Sequence, residues 1–146
     1  MANIYGTRGA DALFGTATAD SIFGLWGNDR IAGLRGGDFL YGGAGNDTLD
    51  GGAGRDVMDG GDGFDLALYA QNFTPVWADL RTGIVSFPGQ SWPTETLVDI
   101  EGVDGGRGAD RLVGNGAANH FWGSSGADTL IGNFGSDTLL GGFQAD

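Results

Sequence analysis

An aspartate stands at every ninth position through most of this 146-residue chain, at Asp11, Asp20, Asp29, Asp38, Asp47, Asp56 and Asp65 and again at Asp110, Asp128, Asp137 and Asp146. Glycines keep the same ruler. They open each unit and recur at its second and fourth places: Gly24 and Gly27, Gly33 and Gly36, Gly42, Gly43 and Gly45, Gly51, Gly52 and Gly54, Gly60, Gly61 and Gly63, Gly105, Gly106 and Gly108, Gly123 and Gly126. Carboxylates set among glycines suit a hard cation such as calcium, which takes six to eight oxygens from carboxylates and backbone carbonyls. Glycine adopts positive φ without a Cβ penalty, so all three places are expected to bend the chain and aim carbonyls at an ion. These aspartates and glycines are the candidate metal ligands.

Seventeen Asp and two Glu face seven Arg and no Lys, for a formal charge of -12. Eleven of the seventeen Asp occupy the sixth place of a unit, so the acidity is positional, unlike the smeared charge of a disordered chain. Such a surface offers no basic patch to nucleic acid or to an anionic membrane, and divalent cations are its natural counter-charge. The chain has no cysteine, which removes disulfides and thiolate metal sites. No stretch is long enough to span a bilayer, and the first twenty residues lack the basic and apolar segments of a cleaved secretory signal.

The elements that must hold these aspartates follow from the eighth place, which is apolar throughout: Leu13, Ile22, Ile31, Leu40, Leu49, Met58, Ala67, Leu112, Phe121, Leu130 and Leu139. Six places of each unit read as turn and three as strand. A three-residue strand is about 10 Å long and unstable alone, so stacking must supply its partners. If each turn reverses the chain, two units make an eighteen-residue coil and unit n stacks on unit n+2. Two parallel sheets then lie back to back with the eighth-place residues between them. The aspartates form two columns, and an ion between stacked turns reaches both, because neighbouring strands lie about 4.8 Å apart. Asp47 would serve two sites and Asp11 one. One apolar residue in nine is a thin core for so glycine-rich a chain, so folding is expected to depend on calcium.

The units GGAGNDTLD and GGAGRDVMD, from Gly42 to Asp59, match the pattern G-G-x-G-x-D-x-apolar-x and resemble the RTX, or haemolysin-type, calcium-binding repeats. The resemblance covers Gly6 to Leu68 and Gly105 to Asp146. It implies an all-β fold, a right-handed parallel β-roll of two short-stranded sheets, with several calcium ions between its turns. It also implies type I secretion through an uncleaved C-terminal signal, and folding outside the cell. One domain is expected over residues 1–146, with repeats at 6–68 and 105–146 and an insert at 69–104. Thr18, Ala117 and Asn119 replace motif residues and are expected to weaken their sites; Leu34 replaces a second-place glycine whose carbonyl remains. Asn3-Ile4-Tyr5 reads as a strand without its turn and Asp146 as a turn without its strand, so these residues are expected to come from a longer protein.

Within the insert, Val76 to Leu80 and Gly83 to Phe87 alternate around Arg81-Thr82-Gly83 as a hairpin, and Leu97 to Ile100 reads as a strand rejoining the roll. Trp77, Phe87 and Trp92, with Pro88 and Pro93, either cover the sheets or form a surface for a glycan or peptide. The ninth-place aromatics Phe14, Phe23, Tyr41 and Trp122 face outwards and are either isolated or a dock for a neighbouring domain or second copy. Trp26, Phe134 and Phe143 fall in turns and are expected to be exposed.

Enzyme readings find little support. His120 is the single histidine and no H-E-x-x-H occurs, which excludes a zinc protease site, and a chain without lysine has no Walker lysine. Glu95, Asp99 and Glu101 read as solvated charges in preference to a glycosidase pair, and Ser124-Ser125 lies in a turn without a base. The expected function is a non-catalytic calcium-binding β-roll module of a secreted bacterial protein that stabilises the exported chain. Two alternatives stand beside it: a calcium-scaffolded glycan- or peptide-binding module of a polysaccharide-active enzyme or adhesin, and the C-terminal domain of a secreted protease. Oligomeric state is left open by the sequence.

Overall fold

The computed structural model describes residues 1–90 and 94–143, and among these residues the regular elements are strands, with no helix. In chain order they are β1 (Asn3–Tyr5), β2 (Ala12–Phe14), β3 (Ser21–Trp26), β4 (Arg30–Ala32), β5 (Phe39–Ala44), β6 (Thr48–Asp50), β7 (Val57–Asp62) and β8 (Leu66–Leu68). After these come β9 (Trp77–Asp79), β10 (Ile84–Ser86), β11 (Glu95–Val98), β12 (Gly102–Asp104), β13 (Arg111–Val113), β14 (His120–Trp122), β15 (Thr129–Ile131) and β16 (Thr138–Leu140). Most have three residues, as the six-place turn requires.

The strands alternate between two sheets, in the orders β1-β3-β5-β7-β11-β10-β9-β13-β15 and β2-β4-β6-β8-β12-β14-β16. Within the repeats pairing is parallel and in steps of eighteen residues: Asn3 on Ser21, Ser21 on Phe39 and Phe39 on Val57 in one sheet, Ala12 on Arg30 and Arg30 on Thr48 in the other. The roll therefore stacks unit n on unit n+2. Eighth-place side chains meet between the sheets, where Ile22, Ile31, Leu40, Leu49, Met58, Ala67, Leu112 and Phe121 are fully buried. Leu13 and Leu130 are partly covered and Leu139 is exposed, because the outermost coils have a neighbour on one side only.

The insert enters the first sheet. β9 and β10 form the antiparallel hairpin, turning through Gly83 at φ +68°, and β10 pairs antiparallel with β11, which returns parallel to β7. The hairpin is thus wedged between β11 and β13, while the second sheet runs directly from β8 through β12 to β14. The expected hairpin adds antiparallel pairings to an otherwise parallel sheet, since a chain that reverses at Arg81-Thr82-Gly83 can only pair antiparallel with itself. Val76, Ala78, Val85, Leu97 and Val103 carry the core through this region.

Several insert side chains differ from expectation. Glu95 is not a solvated charge: its strand register places it opposite Val85 in the core face, and it accepts a hydrogen bond from the Tyr69 hydroxyl at 2.7 Å. Phe87 packs against the core and Trp77 is half exposed, so the insert aromatics do not share one surface; Trp92 and Pro93 lie outside the described residues. Phe14, Trp26, Phe134 and Phe143 are exposed as expected. Two ninth-place or strand aromatics find partners on the outer face: Phe23 stacks on Tyr5, and Trp122 on His120 with ring centroids 4.0 Å apart.

Candidate metal centre

Seven of the described sixth-place aspartates divide their two oxygens between two tasks. One oxygen holds the stack: the backbone N–H of Asp11 donates to Oδ1 of Asp29, that of Asp29 to Asp47 and that of Asp47 to Asp65, at 2.7 to 2.8 Å. The other column repeats this from Asp20 to Asp38 to Asp56, and beyond the insert Asp110 donates to Asp128. The other oxygen is left over. Oδ2 of Asp29, Asp38, Asp47, Asp56, Asp65, Asp110 and Asp128 is buried with no hydrogen-bond partner. A buried carboxylate oxygen without a partner is costly, and seven of them at one motif position call for a cation.

The glycines explain what surrounds that oxygen. At the first place of the turn, a Cβ on Gly24 would overlap both Oδ2 of Asp29 and the carbonyl oxygen of Gly42 in the next coil. Gly42 stands in the same relation to Asp47 and Gly60, and Gly33 to Asp38 and Gly51. The missing side chain thus leaves a cradle in which a carboxylate oxygen and a carbonyl oxygen from successive coils converge. Within the described repeats positive φ falls at second and fourth places, as at Gly43 (+109°) and Gly45 (+141°), and, contrary to expectation, not at the first-place glycines. Leu25 and Leu34 take the same left-handed conformation at second places, where a Cβ makes it strained. No three His, Cys, Asp or Glu side chains gather about one point among the described residues, so carbonyls must make up the ligand count.

Three turns close on themselves. Oδ2 of Asp11 accepts from the N–H and the hydroxyl of Thr7, and Oδ2 of Asp20 from those of Thr16, at 2.6 to 2.9 Å. Asn119 accepts the N–H of Asn115 in the same way. The second place therefore separates the turns: Thr7, Thr16 and Asn115 there satisfy the sixth-place oxygen, whereas the left-handed Leu25, Leu34, Gly43, Gly52, Gly61, Gly106 and Ser124 leave it free. Asn133 is left-handed too and donates its amide to the Gly114 carbonyl. Thr18, at the fourth place, belongs to one of these closed turns, where it adds a hydroxyl contact to Thr16. Asp137 accepts the N–H of Asn119, and Asp146 lies outside the described residues.

The electrostatics divide along the same line. Hydrogen bonds from the Thr16 hydroxyl and the Ala2 N–H hold Asp20 below its ordinary value. Burial raises Asp29, Asp38 and Asp47, and pushes Asp56, Asp65 and Asp110 up to about 6. Neighbouring carboxylates add to that rise, Asp29 beside Asp47 and Asp47 beside Asp65. These are carboxylates whose charge the protein itself leaves unmatched, and a divalent ion would match it.

The insert contributes a residue that the motif does not contain. Glu101 carries the first column onward: the Asp65 N–H donates to its Oε2 at 2.9 Å, and His120 N–H to its carbonyl at 3.0 Å. It is half-buried and hydrogen-bonded, not a solvated charge, and Asp99 beside it sits at φ +45°. The available signal was phase, since Glu101 follows Asp65 by four whole units.

Ser124 takes a left-handed second place, and its hydroxyl is not without a basic partner as expected but donates to the Asp104 carboxylate at 2.8 Å. Residues 5–40, 33–67, 104–139 and 113–146 each match the family model of the RTX calcium-binding nonapeptide repeat. No curated protein matches the chain.

Proposed function

Since the chain belongs to the RTX calcium-binding nonapeptide repeat family, we propose that it is a non-catalytic module that folds on binding several calcium ions and stabilises an exported bacterial protein. One observation carries this reading: the row of buried, partnerless Oδ2 atoms, which at Asp29, Asp38, Asp47, Asp65 and Asp128 converge with a carbonyl of the next coil. Asp29, Asp38, Asp47, Asp56, Asp65, Asp110 and Asp128 would hold the ions, together with carbonyls of the glycine turns. Bound calcium supplies the positive charge that lets these carboxylates stay ionised inside the stack. The chain's own part is to present paired oxygens and to link coil to coil through the Oδ1 hydrogen bonds. The Thr7, Thr16 and Asn115 turns, closed by their own donors, are the weak or vacant places.

Without the ion the stacked carboxylates repel and the thin core does not offset the ordering of so much glycine. Extracellular calcium would then act as the folding signal, which suits a chain that leaves the cell unfolded. Calorimetric titration of the calcium-free chain, with far-ultraviolet circular dichroism before and after, tests this. The expected result is uptake of several ions with a gain of β signal. A spectrum identical in excess chelator and in millimolar calcium would refute it.

A second reading, a glycan-binding module, draws on one feature. A cleft of about 320 Å³ opens between the Gly52–Gly54 turn and the insert, lined by Gln71, Asn72, Phe73, Phe87 and the acid Glu95. Mixed amide and aromatic walls of this kind accept a sugar ring. Titration of the calcium-loaded chain with candidate oligosaccharides, read by tryptophan fluorescence, separates the two readings.

A further inference from the structure

We propose that Asp65, Glu101 and the Asp99 carbonyl form a further divalent-cation site, between the last motif turn before the insert and the insert's own return turn, that fastens the insert's return strand to the roll. The inference rests on the calcium reading above, and adds a site whose turn lies beyond the matched repeats, which end at residue 67 and resume at 104.

The argument begins with chain length. Val98 pairs with Asp59 and Gly102 with Leu66, so three residues, Asp99 to Glu101, cross where six, Gly60 to Asp65, cross in the coil below. A turn this short cannot bring an aspartate carboxylate to its usual place. Glutamate, longer by one methylene, reaches it: Oε2 of Glu101 accepts the Asp65 N–H as Oδ1 of Asp65 accepts that of Asp47. The stack is closed from the other side by Glu101 N–H and Gly102 N–H, which donate to the Asp65 carbonyl at 3.2 and 2.8 Å.

The cradle is rebuilt as well. A Cβ on Gly60 would overlap the Asp99 carbonyl oxygen and lie 2.5 Å from Oδ2 of Asp65. That carbonyl takes the part played by Gly42 above Gly24 and by Gly60 above Gly42. Its direction depends on the left-handed conformation of Asp99, which the tight turn imposes. Asp65 itself is wholly buried and its Oδ2 has no partner, so a buried, uncompensated carboxylate oxygen points into this cradle. Asp59 and the Asp99 side chain add negative charge nearby. Two carboxylates and a carbonyl on successive coils are hard oxygen donors of the kind calcium takes.

Glu101→Gln tests the site, because the amide oxygen still accepts the Asp65 N–H and the coil stays closed. Calorimetric titration with calcium should give one ion fewer for the variant than for the wild-type chain. With calcium present, hydrogen exchange in β11 should be faster in the variant, while exchange in β3 and β5 stays unchanged. An unchanged ion count together with unchanged exchange in β11 would overturn the inference and leave the motif sites standing. A wild-type chain that binds no calcium would overturn both readings. If Glu101→Gln lost β signal in saturating calcium, the site would be tested in the wild-type chain by paramagnetic manganese broadening, with β11 and β12 resonances required to respond.

Discussion

The N–H of Asp47 donates to Oδ1 of Asp65 at 2.7 Å, while Oδ2 of the same Asp47 is buried without a partner. Support of the stack and attraction of a cation are therefore carried by different atoms of one residue type. Any substitution at this place acts on both.

Asp47→Ala removes the acceptor of the Asp29 N–H and the free oxygen together. A lost buried acceptor alone costs about 1 to 3 kcal/mol, and calcium uptake should fall by up to two ions, since Asp47 lies between Asp29 and Asp65. Asp11→Ala should leave the ion count unchanged, because Oδ2 of Asp11 is already occupied by Thr7. Calorimetric stoichiometry of the two variants decides this; equal losses would contradict the division between open and closed turns.

Glycines of one repeat should differ in their tolerance. Gly42→Ala places a methyl group on Oδ2 of Asp47 and the Gly60 carbonyl, whereas Gly9→Ala meets nothing within 4 Å. Overpacking of this kind costs about 1 to 3 kcal/mol, and Gly42→Ala should also weaken calcium uptake at its own turn. Thermal midpoints in saturating calcium should fall for Gly42→Ala and stay near wild type for Gly9→Ala.

The calcium-free chain should be more stable in acid. Asp56, Asp65 and Asp110 rise from an ordinary 3.8 to about 6 in the fold, and Glu95 from 4.5 to about 8. A carboxyl raised in the folded state contributes stability that is fully present below its ordinary value and lost as pH rises through the folded one. The β signal of the calcium-free chain in circular dichroism, favoured in acid where these carboxyls are protonated, should therefore fall steadily between pH 4 and pH 8. Calcium opposes this trend, and its affinity should drop as pH is lowered through about 6, where protons compete for Asp56, Asp65 and Asp110. A calcium-free chain with more β signal at pH 7.5 than at pH 4.5 would count against these buried carboxylates.

Much of the roll is legible in the nine-residue period. Ile22, Leu40 and Met58 recur at the eighth place, and a spacing of eighteen that returns each strand to the same side follows from reversal at every turn. The aspartate columns come with it. What the period does not carry is the second-place effect of Thr7 and Thr16, which depends on a side-chain donor meeting an oxygen four residues on. Glu101 escaped for a related reason. Its phase was right, but a motif of fixed length has no term for a shorter turn offset by a longer side chain. Glu95 looked solvated because burial of an acid follows from register against Val85, which no local pattern sets.

Among the described residues the hairpin of β9 and β10 gives one wall of the roll nine strands where the other has seven. Two added strands lengthen that wall by about 10 Å, at roughly 4.8 Å each, while the wall behind it gains nothing. A wall longer than its backing has to bow, as the outer course of an arch does over the inner. Residues 77–86 thus act as a voussoir, and a bend at this point is the expected consequence for a rod that uniform repeats would leave straight.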